Sequence, residues 1–573
     1  MNQQIPRPEH PLPQFERSNW LNLNGTWDFE FDFGRSGLER EFEKRTDFKD
    51  SILVPFCPES ELSGIGYTDF IPAVWYHRTF SVDASQLSGN VYLHFGAVDY
   101  DCRVFVNGTE AGRHLGGYVS FAFEISSLLH GGENHLTVYA EDDTRSPRQS
   151  TGKQSDHYDS YACSYTRTTG IWQTVWLEFV PQAHILEAQY YPNIAESTLT
   201  VKATVYGEGT FTVSAFYEGN ECGTVSAKAV SGNVLLTLPL LETHLWEPGN
   251  GRLYDLFLSF GEDRVKSYFG LREVKLDGYR FLINGRSVFQ RLILDQGFYP
   301  DGIYTAPSDE ALKRDIQLSM AAGFNGARLH QKVFEPRFLY HCDSMGYLVW
   351  GEMANWGLDI SSYTAYESFI PEWMEAIRRD FNHPAIIGWC PFNETWDYEG
   401  RSQINRLLSV VYRLTKQYDT TRPCIDTSGN YHVETDIYDI HDYDQDPASF
   451  ASAFEDFKNG TGPFRDVHSN RQHYIPGQPM FVSEYGGIKW AVNPDDRKAW
   501  GYGNGPETKE AFMERYKGLT ETLLSNPRMF GFCYTQLTDV EQEQNGIYTY
   551  QREPKMDIKA FHAINSQKAA IED

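Results

Sequence analysis

Ser308-Asp-Glu-Ala-Leu-Lys-Arg-Asp-Ile-Gln-Leu-Ser-Met-Ala-Ala-Gly-Phe-Asn-Gly-Ala-Arg-Leu329 decides the fold. Ser308 is a helix N-cap residue type, and the segment it opens runs to about Ala322. Gly323 supplies the left-handed residue that ends a helix. The apolar run Phe324–Leu329 follows at once, so a helix feeds directly into a short buried strand. Working outward, further apolar runs stand at Val288–Leu294, Tyr347–Trp350, Ala385–Phe392, Pro423–Asp426, Ile437–Ile440, Met480–Val482 and Phe530–Tyr534. Helical stretches lie between several of them, at about Pro336–Met345 (closed by Gly346), Tyr366–Phe381, Ser402–Tyr418 and Lys509–Ser525. Eight buried strands alternating with helices over residues 276–573 favour a (β/α)₈ TIM barrel. A doubly wound open sheet is the runner-up. It would need a Gly-rich phosphate turn after its first strand, and Val288–Asp295 leads to none.

Upstream the period changes from helical to alternating. Within residues 1–182, Trp27/Phe29/Phe31, Val91/Leu93/Phe95, Val104/Val106 and Leu136/Val138/Ala140 alternate with polar neighbours. Turn signals such as Asn107-Gly108 and Gly131-Gly132 separate them. That is the pattern of an antiparallel β-sandwich. Residues 183–275 repeat it on a smaller scale, with Leu199/Val201/Ala203/Val205 and Tyr254/Leu256/Leu258/Phe260, and suit an immunoglobulin-like β-sandwich.

The whole chain of 573 residues carries 50 basic and 78 acidic side chains, a net charge of −28. Such a surface repels phosphate backbones and anionic headgroups, so neither nucleic acid nor membrane is an expected partner. No apolar run is long enough to span a bilayer. Eight scattered cysteines without a Cys-x-x-Cys pair read as buried free thiols. With a polar, Pro-rich start and no apolar signal region, a cytoplasmic location is expected. Aromatic residues make up 15% of the chain; they serve β-sheet cores and also hint at carbohydrate, whose faces stack on rings.

In a TIM barrel the reactive groups sit at the C-terminal strand ends. Two apolar strands emerge into glutamate there: Ala385-Ile-Ile-Gly-Trp-Cys-Pro-Phe-Asn393-Glu394 on the fourth, and Met480-Phe-Val-Ser483-Glu484 on the seventh. Those ends face one another across a closed barrel mouth. Two converging carboxyls suit glycosidic cleavage, one protonated to assist the leaving oxygen, the other ionised to attack. For either glutamate alone, an ion pair with a nearby arginine is the plain structural alternative.

Asn382-His-Pro-Ala-Ile-Ile-Gly-Trp-Cys-Pro-Phe-Asn-Glu394 resembles the acid/base signature of glycoside hydrolase family 2. Phe481-Val-Ser-Glu484-Tyr-Gly resembles its nucleophile segment, and Gly323-Phe-Asn-Gly-Ala-Arg328 its second barrel strand. Pro336–Phe338, Cys342-Asp343, Gly346–Val349, Trp246-Glu-Pro, Leu253-Tyr-Asp-Leu256, Phe269-Gly-Leu-Arg272 and Leu21-Asn-Leu-Asn-Gly-Thr-Trp27 are similar to further family motifs, in order along the whole chain. The resemblance implies a jelly-roll-like domain, an immunoglobulin-like domain and a TIM barrel. It also implies a retaining exo-glycosidase that uses no redox cofactor. By position, Glu394 would be the acid/base and Glu484 the nucleophile. Asn393 would bind the sugar 2-hydroxyl, and Arg328 would hold the nucleophile ionised. Tyr443, in Ile440-His-Asp-Tyr, would bond the nucleophile or be a plain core tyrosine.

Several positions depart from the family pattern and bear on which sugar binds. Asp295 and Gln296 stand where many members have Arg-His-Glu, and Leu329-His330-Gln331-Lys332 replaces Thr-Ser-His-Tyr. The eighth strand ends in Tyr534-Thr-Gln536 rather than a tryptophan. Asp295 is expected to grip a hydroxyl pair and to disfavour an anionic sugar. His330 is either a sugar ligand or a satisfied barrel-mouth histidine. No Asn-x-Lys motif occurs, and the loop after the eighth strand carries Glu541 and Glu543, so a uronic acid would be repelled. The expectation is a neutral non-reducing-end sugar released in β-galactosidase fashion from an oligosaccharide or glycoside. A furanosidase (α-L-arabinofuranosidase or β-galactofuranosidase type) or a β-hexuronidase of the same family is the alternative. A carbohydrate-binding scaffold without catalysis is the non-enzymatic one, and an endo-acting cleft walled by Met353–Ser362 a weaker third. No HExxH or Cys/His ligand cluster appears, so neither a metal nor another cofactor is expected. With the chain stopping just after the barrel, pocket walls are expected from loops or from a neighbouring copy in a homo-oligomer.

Overall fold

The computed structural model describes residues 5–572; the very start of the polar N-terminal stretch, residues 1–4, and residue 573 lie outside them. The first unit is a sandwich of two antiparallel sheets. One has four strands (Trp20–Asn22, Asn90–Phe95, Phe121–Glu124, Val175–Val180). The other has six (Gly25–Phe31, Asp50–Val54, Ala73–Val82, Asp101–Val106, Thr109–Leu115, Gly132–Glu141). The alternating residues face inward: Trp27, Phe29, Leu93, Phe95, Val104, Leu136 and Val138 are buried in one core. Between residues 142 and 169 the chain leaves the sandwich almost without strand structure.

The second unit is built from Thr198–Tyr217 and Asn220–Pro239, two strands of 20 residues each that pair along their length. A register shift between Val205 and Glu208 divides them. The first half of Thr198–Tyr217 pairs with His184–Asn193, and the second half with Tyr254–Phe260, which pairs in turn with Asp263–Phe269. One sheet thus folds over on itself. Leu199, Val201, Ala203, Phe211, Val213, Leu256 and Leu258 fill the space between its halves. A bulge inserts an unpaired residue and sharpens the local twist, which lets a single long hairpin serve both layers.

The barrel follows. Its strands are β1 (Gln290–Asp295), β2 (Gly326–Leu329), β3 (Leu348–Glu352), β4 (Ile386–Cys390), β5 (Thr427–Ser428), β6 (Tyr438–Asp442), β7 (Met480–Gly486) and β8 (Gly531–Thr535). Its helices are α1 (Asp309–Ala321), α2 (Pro336–Met345), α3 (Tyr363–Asp380), α4 (Asn405–Tyr418), α5 (Pro447–Asn459), α6 (Lys509–Leu524) and α7 (Ile558–Asn565). Ser308 caps α1 by accepting from the Ala311 N–H, and Gly346 ends α2 in the left-handed conformation. Seven strands form one continuous parallel sheet from β4 round through β1 and β8 to β6.

The expected fifth strand, Pro423–Asp426, is not a regular strand. Among the described residues, a Trp389–Cys424 bridge and the two-residue pairing of Thr427–Ser428 with Phe392–Asn393 close that side. Pro423 has no N–H to give the ladder. Asp426 turns the chain instead, its carboxylate accepting from the backbone N–H groups of Thr427, Val433 and Glu434. Helix α5 is absent from the helices expected from the sequence, although Phe450, Phe454 and Phe457 make a helical stripe and Asp446 caps it. Among the described residues no helix is long and apolar enough to cross a membrane. All eight cysteines are unpaired.

Candidate active site

Arg328 organises the barrel mouth. It ends β2 with its side chain directed inward and only 2% exposed. Its Nε and Nη2 donate to the two Glu352 oxygens at 2.6 and 3.1 Å. Nη2 also reaches Asn393 Oδ1 at 2.9 Å, and Nη1 donates to the Ser483 carbonyl at 2.8 Å and to Glu484 Oε1 at 3.0 Å. The rigid fork of a guanidinium can serve three strand ends at once; an ammonium cannot. Burial pushes the Glu352 carboxyl up to about 7 against the pull of Arg328.

Glu484 is 4% exposed. Its second oxygen accepts from the Tyr443 hydroxyl at 2.5 Å, and that hydroxyl also lies 3.0 Å from Thr535 Oγ1. Glu394 approaches from the opposite side. It follows Phe392–Asn393, the extension of β4 that pairs with β5, and its N–H donates to the Ser428 carbonyl. Its φ is 46°, a left-handed conformation unusual for a side-chain-bearing residue and a form of strain that gathers at functional sites. Asn355 clamps the preceding residue: its side chain accepts from the Asn393 N–H and donates to the Asn393 carbonyl.

Between the two glutamates stands His441, at the end of β6. Its Nδ1 is 2.6 Å from Glu394 Oε1 and 3.4 Å from Glu484 Oε2. One oxygen of each carboxylate and one ring nitrogen lie within 4.8 Å of one another. Burial disfavours charge on His441, but the charge of Glu484 and the hydrogen bond of Glu394 overcome it and raise its proton affinity. Burial likewise raises the Glu394 carboxyl; the His441 hydrogen bond and charge, with the Trp396 N–H, outweigh burial and hold it below the usual range. In the free site the proton is therefore favoured on the imidazole over the Glu394 carboxyl. The same three atoms are also a set that a cation could bridge.

Of the residues singled out from the sequence, Glu394, Glu484, Asn393, Arg328, His330 and Tyr443 meet here. His330 is buried with Nδ1 at 3.5 Å from Glu352 Oε2 and 3.9 Å from Glu484 Oε1, without a hydrogen bond. Burial and the charges of Lys153, Arg328 and His441 push it well below its ordinary value, so it is a neutral ring. Among the described residues Asn393 Nδ2 also has no hydrogen-bond partner. Gln536 follows β8; its Nε2 donates to Asn545 Oδ1 and its Oε1 has no partner among the described residues.

Asp295 does not join them. Its carboxylate accepts from the Gly297 N–H, and burial next to the charge of Asp315 on α1 raises it to about 7. Alternation is the reason: Gln290 points inward to Trp350, so Arg291, Ile293 and Asp295 face the helices. Glu541 and Glu543 are not free acids guarding the pocket either. Glu541 accepts from the Thr166 N–H, and Glu543 from the Tyr165 hydroxyl and Asn545 Nδ2. They dock the strandless segment of the sandwich onto the barrel.

Four residues escaped the sequence reading: His441, Glu352, Lys153 and Trp356. Glu352 ends the run after Trp350 and carried the same strand-end signal as the other two glutamates. Lys153 comes from the sandwich, and no periodicity points from there to a barrel mouth. Its ammonium lies 4.3 Å from the ring centroid of Trp356, whose indole N–H donates to the Asn393 carbonyl.

The family description "Glycosyl hydrolases family 2, sugar binding domain" matches residues 21–178, and "Glycosyl hydrolases family 2, TIM barrel domain" matches residues 274–567. The chain is similar to a putative beta-glucuronidase of Formosa agariphila, 24% identical over 72% of this chain and 50% of that protein. It is also similar to a beta-galactosidase of Bacteroides ovatus, 25% identical over 71% of this chain and 54% of that one. The chain thus spans about half the length of these two curated relatives. Among solved structures, a beta-glucuronidase of an uncultured Clostridium superposes with a TM-score of 0.78 over 96% of this chain and 98% of the other at 20% identity, a likeness of fold.

Proposed function

The chain belongs to glycoside hydrolase family 2, and we propose that it is a retaining, exo-acting glycosidase with Glu484 as nucleophile and Glu394 as acid/base. The observation that carries this reading is the approach of the two carboxylates to within 4.8 Å of each other. Retaining enzymes hold the pair about 5–5.5 Å apart, and inverting ones leave roughly 6.5–9.5 Å for a water. Glu484, fixed by Arg328 and Tyr443, attacks the anomeric carbon as the bond to the leaving oxygen breaks. The proton that oxygen needs comes from the Glu394–His441 pair, which holds it on the imidazole and passes it through the 2.6 Å hydrogen bond. In the second half, Glu394 takes a proton from water, the water oxygen bonds the anomeric carbon, and Glu484 leaves.

For the sugar itself the reading is a neutral one, β-galactose first. Asn393 Nδ2, His330 Nδ1 and Gln536 Oε1 are buried polar atoms without partners among the described residues, suited to hydroxyls. A β-hexuronide is the second reading, favoured by one observation: the buried Lys153 ammonium over Trp356. The relatives' names include both activities. A panel of 4-nitrophenyl glycosides separates them: β-galactopyranoside, β-galactofuranoside, α-arabinofuranoside and β-glucuronide. Glucuronide turnover that Lys153→Met abolishes would overturn the neutral reading. Glu484→Gln and Glu394→Gln should each lower kcat by roughly 10²–10⁴-fold or more. Azide should restore turnover of an activated glycoside with retained configuration in Glu394→Ala, where the truncated side chain leaves room for the anion. Unchanged turnover in either variant would overturn the mechanism.

A further inference from the structure

Glu394 faces two ways. Its Oε1 is turned to His441 and Glu484, while its Oε2 accepts from the Trp396 indole N–H at 3.1 Å. On the Trp396 side opens a cavity of about 370 Å³ that Glu394 itself lines. That lies within the range of small-ligand pockets, roughly 300–1,000 Å³.

One wall is barrel, the loops after β3 and β4, with Trp356, Trp396 and Tyr398. The other is the strandless segment of the sandwich, with Gln154, Asp156 and Tyr161. The seam between them is built of backbone hydrogen bonds: the Thr151 and Gly152 N–H groups both donate to the Trp356 carbonyl, and the Asp359 N–H donates to the Pro147 carbonyl. Gly357, at φ +91°, packs so closely on Thr151 that a Cβ there would come within 2.2 Å of its hydroxyl.

The lining has a distinct chemistry. Trp396 and Tyr161 remain 48% and 42% exposed at its rim. Trp396 does not swing freely, because Tyr431 and His468 pack edge-on against it. Two acids stand beside the rings: Asp156 accepts from the Tyr161 hydroxyl and contacts His157, and Asp397 pairs with Arg471. Fixed rings beside these carboxylates offer stacking faces and hydrogen-bond acceptors. A purely apolar leaving group would leave those acceptors without donors, and an anionic one would meet the carboxylates. A neutral sugar ring supplies hydroxyl donors at its edge and a C–H face for the rings.

Resting on the assignment of Glu394 as the acid, we infer that this seam between sandwich and barrel is the leaving-group subsite and that it takes a neutral saccharide, so the natural substrate is an oligosaccharide rather than an aryl or alkyl glycoside. The test compares kcat/KM for a β-linked disaccharide and for the 4-nitrophenyl glycoside of the same non-reducing sugar. For β-galactose these are lactose and 4-nitrophenyl β-galactopyranoside. The variants are Tyr161→Ala and Tyr398→Ala, two rim positions that bond neither Glu394 nor Glu484. The expected result is at least a tenfold fall in the disaccharide-to-nitrophenyl ratio in each, carried mainly by KM for the disaccharide. A ratio within twofold of the wild type in both variants, while the nitrophenyl glycoside is still hydrolysed, overturns the subsite and leaves the glycosidase reading standing. A wild-type protein that hydrolyses no glycoside of the panel overturns both.

Discussion

The 2.6 Å contact between His441 Nδ1 and Glu394 Oε1 joins the proposed acid to a base stronger than itself. A carboxyl that must be protonated usually gains its proton from burial and a neighbouring like charge. Here an imidazole intervenes and holds the proton in the free site. The pair then titrates as a unit whose alkaline limit belongs to the imidazole, not to an isolated carboxyl.

His441→Gln should therefore move the alkaline limb of the kcat/KM–pH profile to lower pH. With the imidazole gone, Glu394 alone holds the proton, and a carboxyl gives it up earlier than an imidazole whose affinity its two glutamates have raised. Substrates with good leaving groups should lose less turnover than those with poor ones. A profile that keeps its alkaline limb in place would show that His441 merely fills space.

Gly429→Ala tests the same contact from outside it. Gly429 has φ +86°, and a Cβ there would stand 2.4 Å from the His441 ring. The methyl group must displace the imidazole. The pH profile is expected to shift as in His441→Gln, with a further stability loss of about 1 kcal/mol from the left-handed backbone, read by urea unfolding.

Arg328→Lys should lower kcat roughly 10²–10³-fold while the protein still folds, because a point charge cannot replace a fork bonded to Glu352, Asn393, Ser483 and Glu484 together. Retention of more than a tenth of wild-type kcat would show that charge alone suffices at this position.

The barrel was legible because helix caps and buried strands alternate along most of it, the irregular fifth strand and helix α5 apart, and the two glutamates because each follows such a strand. Asn393, Arg328 and Tyr443 followed from their place at strand ends and their resemblance to family motifs. What stayed hidden depended on side-chain direction or on distant chain. Asp295 looked like a pocket residue until alternation along β1 turned it to the helices. Glu541 and Glu543 looked like a repulsive rim until Tyr165 and Thr166 of the sandwich proved to be their partners. Lys153 and Tyr161 sit in a stretch with neither strand nor helix, where sequence has no period to read, and only the folded seam carries them to the barrel mouth.

Asn393→Ala should cost roughly 10²-fold or more in kcat/KM on a glycoside with a free 2-hydroxyl, in line with the several kcal/mol such contacts supply in the transition state. On the matching 2-deoxy glycoside the same substitution should cost far less. A double-mutant comparison of this kind isolates the pair, since each change alone removes the same hydrogen bond. Equal losses on both substrates would place the open Nδ2 of Asn393 against some other part of the sugar.

His432 offers a stability test away from the chemistry. It is buried between Asp426 and Asp439, with Nδ1 at 2.8 Å from Asp426 Oδ1 and Nε2 at 3.2 Å from Asp439 Oδ1. Burial alone would push its proton off, but the hydrogen bonds and charges of the two aspartates raise it to about 10. An unfolded histidine titrates near 6.5. The folded state thus binds the proton more tightly, and the stabilisation is fully present below about pH 6.5 and is lost as pH rises toward 10. Asp426 turns the chain into β5, and Asp439 accepts from the Ser428 hydroxyl, so the loss falls on the weakest seam of the barrel. In urea titrations, the stability gap between wild type and His432→Gln should be large at pH 6.5 and shrink by pH 9.5. A gap that is constant across that window would mean the imidazole is neutral when folded, and its two aspartates would then need another source of positive charge.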